Sequence, residues 1–280
     1  RLAPHLPESM LREALAIVHT MQDLDHLGVY ASALAGLAPY LSNELFQELH
    51  DEMRSWNHAI RAEVLAELVP CLPQPLQATI VAEAIMAAKW HASDFRKREL
   101  LLELLPSVPD ALLPQVIDLA QTISSESDRV RVLINITPRL PASLLQEVRH
   151  IAHALKDADH KAAVLVEIAH HVSSSLQEQV LREALAVVGK QRSSTGDFGA
   201  PQHTTRQSDN FARLMSFLAQ WSLDKLQPVW NEILSAQLTN TRHVLLATFH
   251  TLAPVMFRLG GKATMQATAN AVHDAGRWWP

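Results

Sequence analysis

Two steps of the form Glu-x-x-His, Glu147 to His150 and Glu167 to His170, carry the residue types that ligate paired iron ions inside helical bundles. Such ligands must face the bundle interior. At 3.6 residues per turn, Glu147 and His150 fall about 90° and 150° from the apolar stripe of their helix, and Glu167 and His170 fall similarly far from theirs. The spacing argues against a metal. Of the 15 histidines, His150, His153, His160, His170 and His171 lie in one neighbourhood, but no cysteine or paired carboxylate completes a tetrahedral zinc set. Gly260-Gly261-Lys262-Ala263-Thr264 resembles the end of a phosphate loop, yet that motif's first glycine is missing and no strand precedes it. A helix C-cap built on glycines in the left-handed region fits better. No Ser, His and Asp combination sits on a nucleophile elbow. The sequence therefore implies no enzyme and no cofactor.

A different series repeats. Arg61, Lys97, Arg129 and Lys161 each stand nine residues before the same point of a recurring phrase. Stacking would convert them into a ladder of positive charge on consecutive helices. Each rung can pair with a carboxylate in the preceding turn or on a neighbouring helix, and exposed pairs contribute little to stability. The functional alternative is a stripe of exposed charge that contacts an acidic protein partner. These four residues are the candidate protein-binding site.

The elements that must position them follow from the phrase, which reads aliphatic, any, Pro, any, aliphatic, then Pro or Ser. It occurs at Leu2 to Pro7, Leu37 to Ser42, Leu68 to Pro73, Leu104 to Pro109 and Ile136 to Pro141, with a degenerate copy at Ile168 to Ser173. The central positions are separated by 35, 31, 36, 32 and 32 residues, the length of a two-helix repeat. A shift of one repeat places Leu112, Leu113, Val116, Leu119, Ala120 and Ile123 on Leu144, Leu145, Val148, Ile151, Ala152 and Leu155. That is the apolar stripe of an amphipathic helix, here helix A. A second stripe, Val132, Leu133 and Ile136 matching Val164, Leu165 and Ile168, makes helix B. Polar turns such as Ser124 to Asp128 and Lys156 to Asp159 suit the N-cap of helix B. Proline ends helix B, and Ser9 or Ser143 is placed to start the next helix A.

One hairpin cannot bury two stripes, whereas stacked neighbours can. The expected fold is an all-α solenoid of about seven to eight helical hairpins, a TPR-like or HEAT-like superhelix. Residues 1–188 hold repeats 1 to 6, counting only the first helix of the sixth. Residues 189–210 read as a flexible insert because of their Gly, Ser, Thr and Pro content. Residues 211–280 hold the C-terminal repeats and cap. There Leu252-Ala253-Pro254 restates the phrase, Gly260-Gly261 stops a helix, and Trp278-Trp279-Pro280 caps the last open core.

Composition bounds the partners. With 24 basic and 29 acidic residues in 280, the net charge of -5 supplies no global positive field for nucleic acid or an anionic membrane. No apolar run approaches the roughly 20 residues of a membrane span. The single cysteine, Cys71, forms no internal disulfide, which points to a reducing compartment and hence the cytoplasm. Arg1 already lies inside the repeated motif, so a piece of a longer protein is expected.

The Leu-Ala-Pro-x-Leu-Pro phrase with its Leu-rich helices, together with Leu259-Gly260-Gly261 and the stretch from Ala267 through Arg277-Trp278-Trp279-Pro280, resembles the C-terminal helical repeats of bacterial STAND-class proteins, relatives of NACHT and NLR receptors. In that class an effector and an NTPase precede repeats that act as sensor. The resemblance implies antiviral defence signalling, with a protein ligand that is phage-derived or is the effector or NTPase module of the same polypeptide. The alternative from another class is a structural scaffold that joins subunits without sensing.

Overall fold

The computed structural model describes residues 7–20, 27–194, 211–237 and 242–278. Among them the chain is entirely helical, with no strand. It divides into two compact units, Arg1–Leu144 and Leu145–Pro280. In the first lie α1 (Glu8–His19), α2 (Leu27–Leu37), α3 (Asn43–Met53), α4 (His58–Leu68), α5 (Gln74–Ala88), α6 (Asp94–Leu104), α7 (Leu113–Gln121) and α8 (Glu126–Ile136), and α9 (Ala142–Ala154) starts at its end. Odd-numbered helices are A helices and even-numbered ones B helices. The B helices pack in series, α2 on α4, α4 on α6 and α6 on α8, while α5 packs on both α4 and α7.

Each complete copy of the phrase within 27–144 forms the same joint. Ala38–Tyr40, Val69–Cys71, Leu105–Ser107 and Thr137–Arg139 are single 3-10 turns with proline at the second position. Proline has no N–H to continue the α ladder and its ring clashes with the preceding turn, so the helix tightens and stops. The next residue turns to extended backbone, and at Leu72, Val108 and Leu140 its side chain drops into the core. The degenerate copy supplies a natural control. His170 stands where proline is expected, and that B helix runs on to His171 without a 3-10 turn.

Helix A starts differently from expectation. Neither Ser9 nor Ser143 is an N-cap. α1 and α5 are entered through Pro7 and Pro73, whose extended backbone presents a carbonyl to the first-turn N–H groups of Met10 and Leu11, or of Leu76 and Gln77. Where the phrase ends in serine, the Ser42 hydroxyl accepts the Leu45 N–H instead. Helix B starts as the sequence implies. Asn57, Ser93, Ser125 and Asp157 each cap a B helix through the side chain. One such cap contributes about 1 kcal/mol.

In the second unit α10 (Ala158–His171) packs on α11 (Ser174–Ser194), α11 on α13 (Leu223–Gln237), and α13 on α14 (Arg242–Trp278); α12 covers 211–218. α11 runs six residues past the expected start of the insert. A single Gly189 costs a helix only about 1 kcal/mol, and Lys190, Gln191 and Arg192 are good helix formers. The remainder of the expected insert, 195–210, lies outside the described residues, as do Trp279 and Pro280. Gly261 breaks α14 into two helical stretches, with φ 63° and ψ -157°, a combination open in practice to glycine alone. At Gly260 a Cβ would run into the Thr264 side chain. Beside this kink, Trp230, Phe249, Leu252, Met256, Leu259 and Thr264 enclose a cavity of 290 Å³. Pro254 sits inside the helix and makes no 3-10 joint.

Candidate protein-binding ladder

The four ladder residues share one backbone position. The N–H groups of Arg61, Lys97, Arg129 and Lys161 donate to the carbonyls of Asn57, Ser93, Ser125 and Asp157, the N-caps of their B helices. Each rung is therefore the fourth residue of a B helix, at the A–B turn edge. From there i+3, i+4 and i+7 lead to Val64, Leu65 and Leu68 after Arg61, and to Leu100, Leu101 and Leu104 after Lys97. After Arg129 they lead to Val132, Leu133 and Ile136, and every one of these nine residues is buried. The rungs thus begin the apolar stripe of helix B, at the mouth of the core. The expectation of an exposed charge does not hold for their stems: Lys97 is 9% exposed, and Arg61, Arg129 and Lys161 are half-buried. In the first repeat the same position, nine residues before Pro39, is Tyr30, a fully buried aromatic. Helical phase applied to 61, 64, 65 and 68 is the sequence signal that reveals this.

The rungs differ in their partners. Arg61 forms an ion pair with Glu83 of α5, and His50 Nε2 lies 3.0 Å from the same carboxylate. The Arg61 Nε is fully buried without a hydrogen bond. Lys97, Arg129 and Lys161 have no ion pair among the described residues. The Arg129 Nε is likewise buried and unbonded, whereas the Lys97 ammonium is not among the fully buried orphan atoms. Its stem lies in the core mouth and its head reaches solvent. Lys161 belongs to the second unit.

Other charges link one A helix to another, or one B helix to another. On A helices Arg12 Nη1 donates to Glu48 at 2.7 Å, His19 Nδ1 lies 3.0 Å from Glu52, and Arg149 and His153 both reach Glu183, each at 3.0 Å. On B helices Arg96 Nε donates to Glu63 at 2.7 Å, and Arg98 pairs with Asp128. Burial pushes Glu183 upward, but hydrogen bonds from Arg149 and His153 outweigh it and hold the carboxyl below its ordinary range. Asp128 is held low in the same way, with Ser125 and Arg98 overcoming burial. Glu103, though exposed, is pushed up first by partial desolvation and then by the charges of Glu67 and Glu63. At the joints, the Arg139 guanidinium donates to the carbonyls of Leu105 and Val108 in the preceding 3-10 segment.

The residues considered for metal and phosphate are placed apart from such chemistry. Glu167 bonds Arg213 and His171, His170 Nδ1 lies 2.8 Å from the Val166 carbonyl, and His150 is exposed. Among the described residues no group of three or more His, Cys, Asp or Glu could hold a metal ion, and no helix is long and apolar enough to cross a membrane. Gly260 and Gly261 shape a kink.

One feature escaped the sequence reading. Near the same A–B edge, Met86, Trp90 and Phe95 are exposed, Trp90 to 70%. Trp90 stacks on His58 with ring centroids 6.0 Å apart, and the Arg98 guanidinium lies 4.4 Å over the Phe95 ring. Trp90 interrupts the polar turn before Ser93, which is the only trace of it in the sequence. No protein-family model, no curated protein and no solved structure matches the chain. The likeness to STAND-class repeats rests on its own residues.

Proposed function

We propose that this chain is a non-catalytic, protein-binding α-solenoid, the ligand-sensing C-terminal region of a bacterial STAND-type defence protein. The observation that carries protein binding is the make-up of the A–B edge of the first unit. Met86, Trp90 and Phe95 stand exposed there within a few residues of Lys97 and Arg98. Tryptophan, methionine and arginine are the types that interfaces concentrate, and a large aromatic held by a stacking neighbour binds with little loss of freedom. The recurring joint and cap support the solenoid, because each unit offers its neighbour the same two apolar stripes. The defence role draws its support from the Leu-Ala-Pro phrase and the Arg277 to Pro280 ending alone.

The test is deletion of residues 1–280 from the full-length protein. Its response to the trigger should disappear while its nucleotide hydrolysis persists. A response that survives the deletion overturns the sensor reading. Light scattering on the 280-residue chain checks the scaffold alternative: a monomer across concentrations fits sensing, and concentration-dependent assembly replaces sensing with scaffolding.

A further inference from the structure

We infer that Lys97 and Arg129 form a two-rung subsite for the carboxylates of an extended acidic segment of a protein partner. This rests on the protein-binding reading and narrows it to one place and one chemistry. α6 and α8 pack directly on each other, and the two residues hold the same position in both, fourth from the N-cap. Neither has an ion pair among the described residues. The nearby carboxylates of Asp94 and Asp128 are engaged elsewhere: Asp94 accepts the Ser125 N–H at 2.8 Å, and Asp128 pairs with Arg98. Arg61 is excluded because Glu83 already neutralises it.

Three physical features favour an anion here. A cation in the first turn of a helix adds to the positive end of the helix dipole, so an anion is favoured beside both rungs even though Asp94 on α6 and Glu126 and Asp128 on α8 share those turns. Lys97 as a whole residue is only 9% exposed, and its ammonium is not fully buried. Ordering cost is therefore met before binding. The Arg129 Nε is buried and unbonded in the same core mouth, so an acceptor there would relieve an unsatisfied donor. Packed helices lie about 8–10 Å apart, and an extended segment of the polyproline-II type advances about 3.1 Å per residue with three residues per turn, which puts every third side chain on one face. Acidic residues at every third position match that interval. The net charge of -5 disfavours nucleic acid, charged at every nucleotide, more than a peptide with one carboxylate in three residues.

The experiment titrates the 280-residue chain with the peptide Glu-Ser-Thr-Glu-Ser-Thr-Glu and with its Gln-Ser-Thr-Gln-Ser-Thr-Gln counterpart, at low and moderate salt. The acidic peptide should bind and weaken with salt, and the neutral one should not bind. The double variant Lys97→Gln/Arg129→Gln should lose at least about tenfold in affinity with its melting temperature kept. Lys97→Arg and Arg61→Gln should stay within about twofold of the parent. Equal binding of both peptides, no binding of either, an unaffected double variant, or a preference of these two residues for single-stranded oligonucleotide would each overturn the subsite. If both peptides bound alike while the deletion above still abolished the response, protein binding would stand and this subsite would fall.

Discussion

Arg61 and Lys97 occupy the same place in successive copies of the phrase, yet one is a neutralised structural group and the other, at the mouth of the core, has no ion pair among the described residues. Both follow a side-chain N-cap and both open a buried stripe. The difference lies on the neighbouring A helix. α5 carries Glu83, which meets Arg61, His50 and, at 4.0 Å, Arg54. α7, the A helix that follows, carries only Asp118 as a charged residue, and Asp118 is exposed with no ion pair among the described residues. A repeat fixes the location of a side chain, while its electrostatic partner is supplied one at a time by variable positions on the adjacent unit. Identical register is therefore compatible with opposite roles.

The largest expected effect tests what the two rungs share. Leu65→Ala and Leu101→Ala should each cost about 3 kcal/mol in urea unfolding, because both leucines are fully buried at the same stripe position. A large disparity between them would mean that the two repeats are not equivalent beneath their charges. The next largest separates the rungs. Glu83→Gln strands Arg61 beside His50 and should cost about 2 kcal/mol, read as a lower urea midpoint, with an unchanged result refuting the neutralised-rung description. Lys97→Met is expected to be neutral or to stabilise by up to about 1 kcal/mol, since it extends the apolar stripe and removes an uncompensated charge. Arg61→Met, which strands Glu83, should destabilise.

The smallest effects concern pH. Asp128 and Glu183 have folded-state values below their ordinary ones. Their contribution is present above the ordinary carboxylate range of about pH 4 and is lost as pH falls through the lowered folded values, so Asp128→Asn should flatten the acid limb of a stability curve. Glu103 has the opposite sign. Its raised value means that stability falls as pH rises from the ordinary value to the folded one, and Glu103→Gln should raise stability at pH 7 by no more than about 0.5 kcal/mol, since the side chain is exposed and screened. A loss of stability on that substitution would show that Glu103 has a partner that outweighs its acidic neighbours.

Much of the local structure was legible in advance. The phrase fixed each joint through a property of proline itself, and the polar turns supplied the B-helix caps because short side chains reach the free N–H groups of their own helix. The missed starts of the A helices have an equally local cause. A second proline shapes the entry without any capping side chain, so serine was credited with a role it does not have. The end of α11 was missed because composition signals a loop over a window, while one glycine between good formers does not stop a helix. The exposed cluster of Met86, Trp90 and Phe95 was not legible, since exposure depends on which neighbour fails to cover a side chain.

The sequence by itself determined the helical class, the interval between units, the proline joints and the register that puts Arg61, Lys97, Arg129 and Lys161 at one backbone position. These depend on contacts within a few residues, where chain connectivity holds the groups together. Only the tertiary structure decided that the stems of those rungs enter the core mouth, that Glu83 neutralises one of them, and that Lys97 and Arg129 have no ion pair among the described residues. Those outcomes depend on which residues a neighbouring helix brings within about 4 Å, a distance at which the interaction of two charges changes several-fold with burial.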